Sequence, residues 1–351
     1  MVKKLILSLG LVATLSFGAS LDDGKNAYEK GDFKTALPIF EELALKGNAE
    51  AQFNLGVMYF NGYGVKQDYK KSFDWYEKVA NQGYINAQFN LGVMYENGEG
   101  VKQDLKKAIE WYEKVANQGH SGAQFNLGLI YENGKGVKQD LKEAFYWFEK
   151  AANQGNAKAQ TNLGGIYKNG DIVKQDYKKA FELYQKSANQ GNAEAQTNLG
   201  IMYQHGQGVE QDYKKAIEWY EKAVNQDDVI AQSNLGIMYE QGQGVKQDYK
   251  KAFYLYEKSA NQGFSYAQFN LGIMYSHGYG VRQDKRKAFY WYEKSANQGH
   301  SLAQTNLGNM YEEGEVIKQN YKKAKELYGK ACDGGDQLGC DKYKILNQKG
   351  Y

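Results

Sequence analysis

The dipeptide Ala-Gln recurs at residues 51, 87, 123, 159, 195, 231, 267 and 303, with a step of 36 residues every time. A fixed period of this length describes a stack of small units, each buried against its neighbours, and not one large core. With that alanine as position 0, leucine holds position 4 in all eight copies, from Leu55 to Leu307. Glycine follows each leucine, from Gly56 to Gly308, and tyrosine holds position 8, from Tyr59 to Tyr311. Positions 0, 4, 5, 7 and 8 fall on one face at about 100° per residue, so the segment reads as a helix, helix A. A glycine inside a helix costs about 1 kcal/mol relative to alanine. Gly92 and its equivalents are therefore expected to be contact points where helix A meets a second helix.

Helix A is predicted to end at an Asn-Gly-x-Gly-Val loop, with Gly62, Gly98 and Gly134 as left-handed C′ residues. Asp68, Asp104, Asp140, Asp176, Asp212, Asp248 and Asp284 then fit the N-cap of helix B, and Asn320 fits it in the eighth copy. Helix B carries Tyr or Phe at position 25, and all five tryptophans of the chain lie at position 24: Trp75, Trp111, Trp147, Trp219 and Trp291. Ala-Asn-Gln-Gly closes the helix, with Gly83 and its equivalents as C′ glycines; Asp227 breaks that pattern in the fifth copy. The expected fold is all-α, an α/α superhelical solenoid of stacked helix pairs.

The motif Ala-Gln-x-Asn-Leu-Gly-x-Met-Tyr-x-Asn-Gly-x-Gly-Val-x-Gln-Asp resembles the Sel1-like repeat family, relatives of tetratricopeptide repeats with a longer loop between helices A and B. The resemblance divides the chain into an export signal (1–20), a tetratricopeptide-like capping unit (21–48), eight repeats (49–338) and a C-terminal capping helix (339–351). Tyr28, Gly31, Asp32, Phe33 and Ala36 carry the likeness of the first cap. The last helix is read as having a polar face. Two copies depart at the second loop glycine, as Ile172 and Val316, and those loops are expected to be shaped differently.

Lys3 and Lys4, the apolar run Leu5–Leu15 and the small-residue stretch Ser16–Ser20 make a secretory signal, with cleavage expected between Gly18 and Leu21. No other stretch approaches the roughly 20 apolar residues of a membrane span. The first cysteine is Cys332, far from the cleavage zone, so no lipid anchor is expected. The chain has 44 basic and 41 acidic residues. Losing Lys3 and Lys4 brings the two within one of each other, which gives no electrostatic case for nucleic acid. A periplasmic or secreted protein follows.

Cys332 sits at position 29 of the eighth unit and Cys340 at position 1 of the half-unit after it. These positions face each other across a tight helical hairpin, so an exported chain is expected to join them in a disulfide. The cysteine-rich Sel1-like proteins of Helicobacter, which this chain is similar to, carry a pair with this spacing in most repeats.

No motif for catalysis, cofactor or metal appears. No serine is followed by lysine three residues on, and Gly-x-Ser-x-Gly, His-Glu-x-x-His and the phosphate-binding loop are absent. His205 and His277 share one loop position, and His120 and His300 share one turn position; all four read as solvated. What remains is surface. Positions 2, 6 and 9 of helix A lie opposite the core face and, by the resemblance, line the concave groove of tetratricopeptide domains, with position 3 at the edge between core and groove. Phe53, Phe89, Phe125 and Phe269 occupy position 2, Val93 holds position 6, and asparagine fills position 3 throughout: Asn54, Asn90, Asn126, Asn162, Asn198, Asn234, Asn270 and Asn306. An asparagine row can hold an extended peptide backbone, or it can tie neighbouring helices together. The expected function is a non-catalytic scaffold that binds a protein segment or a cell-wall peptide in its groove. The resemblance leaves two alternatives: β-lactamase or penicillin-binding activity, as assigned to some cysteine-rich relatives, and a secreted host-interaction factor.

Overall fold

The computed structural model describes residues 19–351. The expected export signal lies outside the described residues except for Ala19 and Ser20. Among the described residues the regular elements are helices throughout. The first compact unit, ending at Asn156, holds α1 (Leu21–Glu29), α2 (Phe33–Leu45), α3 (Ala49–Asn61), α4 (Tyr69–Ala80), α5 (Ile85–Asn97), α6 (Leu105–Ala116), α7 (Ser121–Asn133) and α8 (Leu141–Asn153). The second, Ala157–Tyr351, begins with α9 (Ala157–Asn169), α10 (Tyr177–Asn189), α11 (Ala193–His205), α12 (Tyr213–Val224) and α13 (Val229–Gln241). It continues with α14 (Tyr249–Asn261), α15 (Ser265–His277), α16 (Lys285–Asn297), α17 (Ser301–Glu313), α18 (Tyr321–Asp333) and α19 (Gln337–Gln348). Odd-numbered helices from α3 to α17 are helix A of each repeat, and their even-numbered successors are helix B.

The loop between them is fixed by backbone chemistry. Gly98 is left-handed (φ 76°), and its N–H donates to the Met94 carbonyl at 2.9 Å. The Asp104 N–H then reaches back to the Tyr95 carbonyl at 2.9 Å, while its side chain accepts from the Lys107 N–H at 3.1 Å and starts α6. The second loop glycine packs against the preceding repeat. A Cβ on Gly100 would stand 2.1 Å from the Tyr69 carbonyl oxygen, and one on Gly280 2.2 Å from that of Tyr249. Ile172 and Val316 are not left-handed: Asp227 (φ 60°) is the one non-glycine with positive φ among the described residues. Those two loops therefore differ from the rest.

Helix B stops at Ala80 in the first repeat, with Asn81 as C-cap, and Gly83 (φ 90°) turns the chain two residues later. Its N–H donates to the Ala80 carbonyl at 3.0 Å and the Tyr84 N–H to the Val79 carbonyl at 3.3 Å, the paired bonds of a helix-ending left-handed glycine, and Gly155, Gly191, Gly263 and Gly299 follow their C-caps directly, as the sequence led one to expect. The last helix, α19, is not wholly polar outside: Leu338, Tyr343 and Ile345 are exposed.

Inside each repeat the position-5 glycine is a seat for a ring. A Cβ on Gly92 would lie 2.6 Å from the Tyr112 ring. The same holds in all eight copies, from 2.4 Å (Gly200 to Tyr220) to 2.8 Å (Gly164 to Tyr184). The contact is therefore to the aromatic side chain at position 25. Repeats are joined by edge-on aromatic pairs, such as Phe73 with Tyr95 and Phe253 with Tyr275, both at 5.4 Å.

A buried glutamine makes the polar link. Gln88 Nε2 donates to the Ala80 carbonyl at 2.9 Å, and Gln124 does the same to Ala116. Gln154 in turn donates to Gln124 Oε1 at 2.6 Å. Each such bond is worth about 1 kcal/mol. At the last junction the two linked positions are Cys332 and Cys340, whose Cα atoms are 4.5 Å apart, within disulfide-bonding distance.

Two outcomes test this packing. Gly164→Ala drives a methyl into Tyr184 and is expected to destabilise the protein by about 1–3 kcal/mol. Its neighbour Gly165 meets nothing closer than the Tyr184 hydroxyl at 3.7 Å; Gly165→Ala should stabilise by about 0.5–1 kcal/mol through helix propensity. Urea titration of both variants checks the opposite signs. Under native, non-reducing conditions both cysteines should resist alkylation. Reduction should then lower the urea midpoint by the equivalent of roughly 2–3 kcal/mol.

Candidate functional site

The helix-A face carries the position-2, -3 and -6 side chains, and none of them is free of the core. Phe53 packs on Tyr76 and Tyr84, with ring centroids 5.6 and 5.1 Å apart. Phe89 packs on Tyr112 (5.8 Å) and stacks on His120 (4.5 Å), and Phe269 stacks on His300 (4.7 Å). Phe125 meets Phe148 at 5.9 Å. All four, like Val93, are half-buried. Where position 2 is Thr or Ser the residue is buried: Thr161, Thr197, Ser233 and Thr305.

The asparagines sit beside the seated tyrosines. Asn90 meets the Tyr76 hydroxyl, Asn126 that of Tyr112, Asn234 that of Tyr220, and Asn306 that of Tyr292. Asn198 donates to the Glu194 carbonyl at 3.0 Å. Asn54, Asn162 and Asn270 are half-buried on the same helix face. The tyrosine hydroxyls donate to position 9: Tyr112 to Glu96 at 2.8 Å, Tyr220 to Gln204 at 2.7 Å and Tyr256 to Glu240 at 2.6 Å. Burial raises these hydroxyls above the usual phenol range, Tyr292 to about 12, so they stay neutral donors. Glu132 holds position 9 in the repeat whose position 25 is Phe148, so it has no such hydroxyl to meet; burial pushes its carboxyl up.

Two histidines are not solvated as the sequence suggested. His120 and His300 are half-buried N-caps of α7 and α17, where each Nδ1 accepts from a backbone N–H, Ala123 at 3.1 Å and Ala303 at 3.3 Å. His205 and His277 are exposed. Among the described residues no three His, Cys, Asp or Glu side chains are grouped to hold a metal, and no helix is long and apolar enough to cross a membrane.

The Sel1 repeat family model matches residues 49–84, 85–120, 121–156, 157–192, 193–228, 229–264, 265–300 and 301–336. The chain belongs to the Sel1-repeat family. Among solved structures it is similar to a protective antigen of uropathogenic Escherichia coli with an SLR fold, at 39% identity over 89% of this chain and 67% of that one, TM-score 0.75. A Sel1 repeat protein of Oxalobacter formigenes is 33% identical over 88% of this chain and 89% of its own, TM-score 0.64. Cysteine-rich protein B of Helicobacter pylori is 28% identical over 37% of this chain and 94% of its own, TM-score 0.30. No curated protein matches the chain.

Sequence reasoning missed the histidine caps. The signal was present, because the same Sel1-repeat position holds Asn48, Asn192 and Asp228, all ordinary caps. An Nδ1 that accepts a hydrogen bond must be unprotonated. Burial holds both histidines below the ordinary imidazole value of about 6.5. Below about pH 6.5 the unfolded chain then binds protons that the folded chain refuses, so this stability is full above that pH and is lost as pH falls toward the folded-state values. The denaturation midpoint is expected to drop between about pH 7.5 and 5.5, and to drop less in His120→Asn/His300→Asn. An unchanged slope in the double variant would remove the histidines as its cause.

Proposed function

We propose that this Sel1-repeat protein is an exported, non-catalytic scaffold that holds an extended segment of another protein along its helix-A face. The observation that carries the reading is the asparagine row. An asparagine amide has two donors and two acceptor sites; the neighbouring tyrosine hydroxyl occupies one, and half exposure leaves others open to a ligand. Helices about 8–10 Å apart would present one asparagine for roughly every three residues of an extended chain. Half-buried Phe53, Phe89, Phe125 and Phe269 are anchored from behind by rings, which makes them rigid apolar contacts of the sort that dominate binding surfaces. The leader-like N-terminus and the close cysteine pair support a periplasmic or secreted site of action. Similarity to a protective antigen favours, as a second reading, that the held segment belongs to a host protein.

Partner capture from periplasmic and secreted fractions, compared between the wild type and Asn90→Ala/Asn126→Ala, tests the row. The double variant should weaken capture about tenfold, the effect of one or two hydrogen bonds, with little change in melting. Unchanged affinity with a lower melting midpoint would leave the asparagines as helix-positioning residues. Nitrocefin turnover by the purified protein would overturn the non-catalytic part.

A further inference from the structure

The chain uses lysine almost exclusively; its two arginines, Arg282 and Arg286, fall in one stretch, Val-Arg-Gln-Asp-Lys-Arg-Lys (281–287). The preceding repeat has Val-Lys-Gln-Asp-Tyr-Lys-Lys at 245–251. There the seat between repeats is closed: Gly280 packs on the Tyr249 backbone, and Tyr249 stacks on Tyr279 at 5.1 Å. One repeat later both partners of that seat are different. Lys285 stands for the tyrosine and Val316 for the glycine.

Beside this stretch lies an open cleft; a comparable hollow of about 640 Å³ lies beside Lys174 in the fourth repeat, where the tyrosine and glycine of the seat are both kept, so the arginines and not the opening set this one apart. A cavity of about 600 Å³ is lined by residues of the arginine stretch together with Glu315 and Val316. A second hollow of about 280 Å³ shares Lys285, Glu315 and Val316 with it and reaches Asn306 on the helix-A face. Two carboxylates in the cleft are already engaged. Asp284 accepts from the Arg286 and Lys287 N–H groups at 3.0 Å each, and Glu315 pairs with Lys285. Lys287 Nζ lies 5.0 Å above the Tyr275 ring. Neither guanidinium has an ion-pair partner among the described residues, although a guanidinium is the side chain best shaped to grip a carboxylate with two parallel bonds.

We propose that this cleft in the seventh and eighth repeats binds an acidic peptide segment, with Arg282 and Arg286 taking its carboxylates. The proposal rests on the scaffold reading and deepens it: a chain lying along the helix-A face at Asn306 continues through the second hollow to the arginines. A peptide is favoured over a lone anion because the two hollows adjoin, sharing Lys285, Glu315 and Val316 as lining residues.

Fluorescence anisotropy with labelled hexaglutamate and the full-length protein tests it. Arg282→Gln/Arg286→Gln should weaken binding about tenfold or more. Arg282→Lys/Arg286→Lys keeps the charge and installs the residues of the neighbouring repeat, so its fold is safe; it should still weaken binding about threefold. Lys246→Gln/Lys250→Gln, the matched pair one repeat earlier, should stay within about twofold of wild type. Equal loss in that control pair, or full retention by the lysine variant, would overturn the proposal. So would inorganic phosphate competing as well as the peptide. Arginine-dependent binding to phosphatidylglycerol vesicles without hexaglutamate binding would assign the cleft to a membrane surface instead. The two readings fail separately: wild-type protein that ignores hexaglutamate sinks the cleft alone, whereas the asparagine variant's partner capture judges the helix-A face.

Discussion

Each repeat depends on a ring lying where a Cβ would be. The glycine at position 5 lets the position-25 aromatic sit directly on helix A, and the space is so tight that a methyl group would stand under 3 Å from the ring in every copy. The helix-propensity cost of that glycine is about 1 kcal/mol. Full burial of a tyrosine or phenylalanine returns more than this, about 1.5–3 kcal/mol. The seat also sets the surface. A tyrosine pressed onto helix A carries its hydroxyl to the helix-A face, where it meets the asparagine of the next repeat and the acid or amide at position 9. Core and candidate site are thus two ends of one side chain, which is why the helix-A surface positions cannot be read independently of packing.

The period, helix ends, aspartate caps and loop glycines were legible because each rests on local backbone chemistry repeated eight times. Gly98 and Asp104 act within a few residues of themselves. The glutamine links were not legible, for a physical reason. Gln88 is buried, bonds a carbonyl eight residues back, and accepts from Gln118 thirty residues on; a polar residue on a helix reads as surface unless its partners are known. Its invariance at position 1 was the available signal. The position-2 aromatics were half legible. They lie on helix A beside the asparagines, but Phe89 is braced by Tyr112 and His120, so it is packed against rings and is not a free contact.

The cysteine pair takes on meaning beside those glutamines. Positions 29 and 1 are linked in other repeats by an amide-to-carbonyl hydrogen bond. At the C-terminal junction Cys332 and Cys340 occupy these same two positions. Nearby, Gly334 replaces the glutamine at position 31, and Gln304 Oε1 is left buried without a partner. A linear array is held only by nearest neighbours and frays from its ends. A disulfide there would contribute roughly 2–3 kcal/mol at a junction where a polar link of about 1 kcal/mol is lost.

The fifth junction shows the opposite case. Val224 replaces the usual alanine at position 29, Asp227 adopts the left-handed backbone that glycine holds in the other turns, and Gln232 Nε2 is buried without an acceptor. A left-handed aspartate costs up to about 1–2 kcal/mol, and an unmet buried donor about 1–3 kcal/mol. Neither is offset by a new contact beyond the 3.6 Å approach of Lys258 to exposed Asp227, and exposed pairs are worth little. Three departures within nine residues all act on the single interface between α12 and α13. In a structure whose stability is a chain of neighbour terms, these departures make that interface a weak link of the second unit.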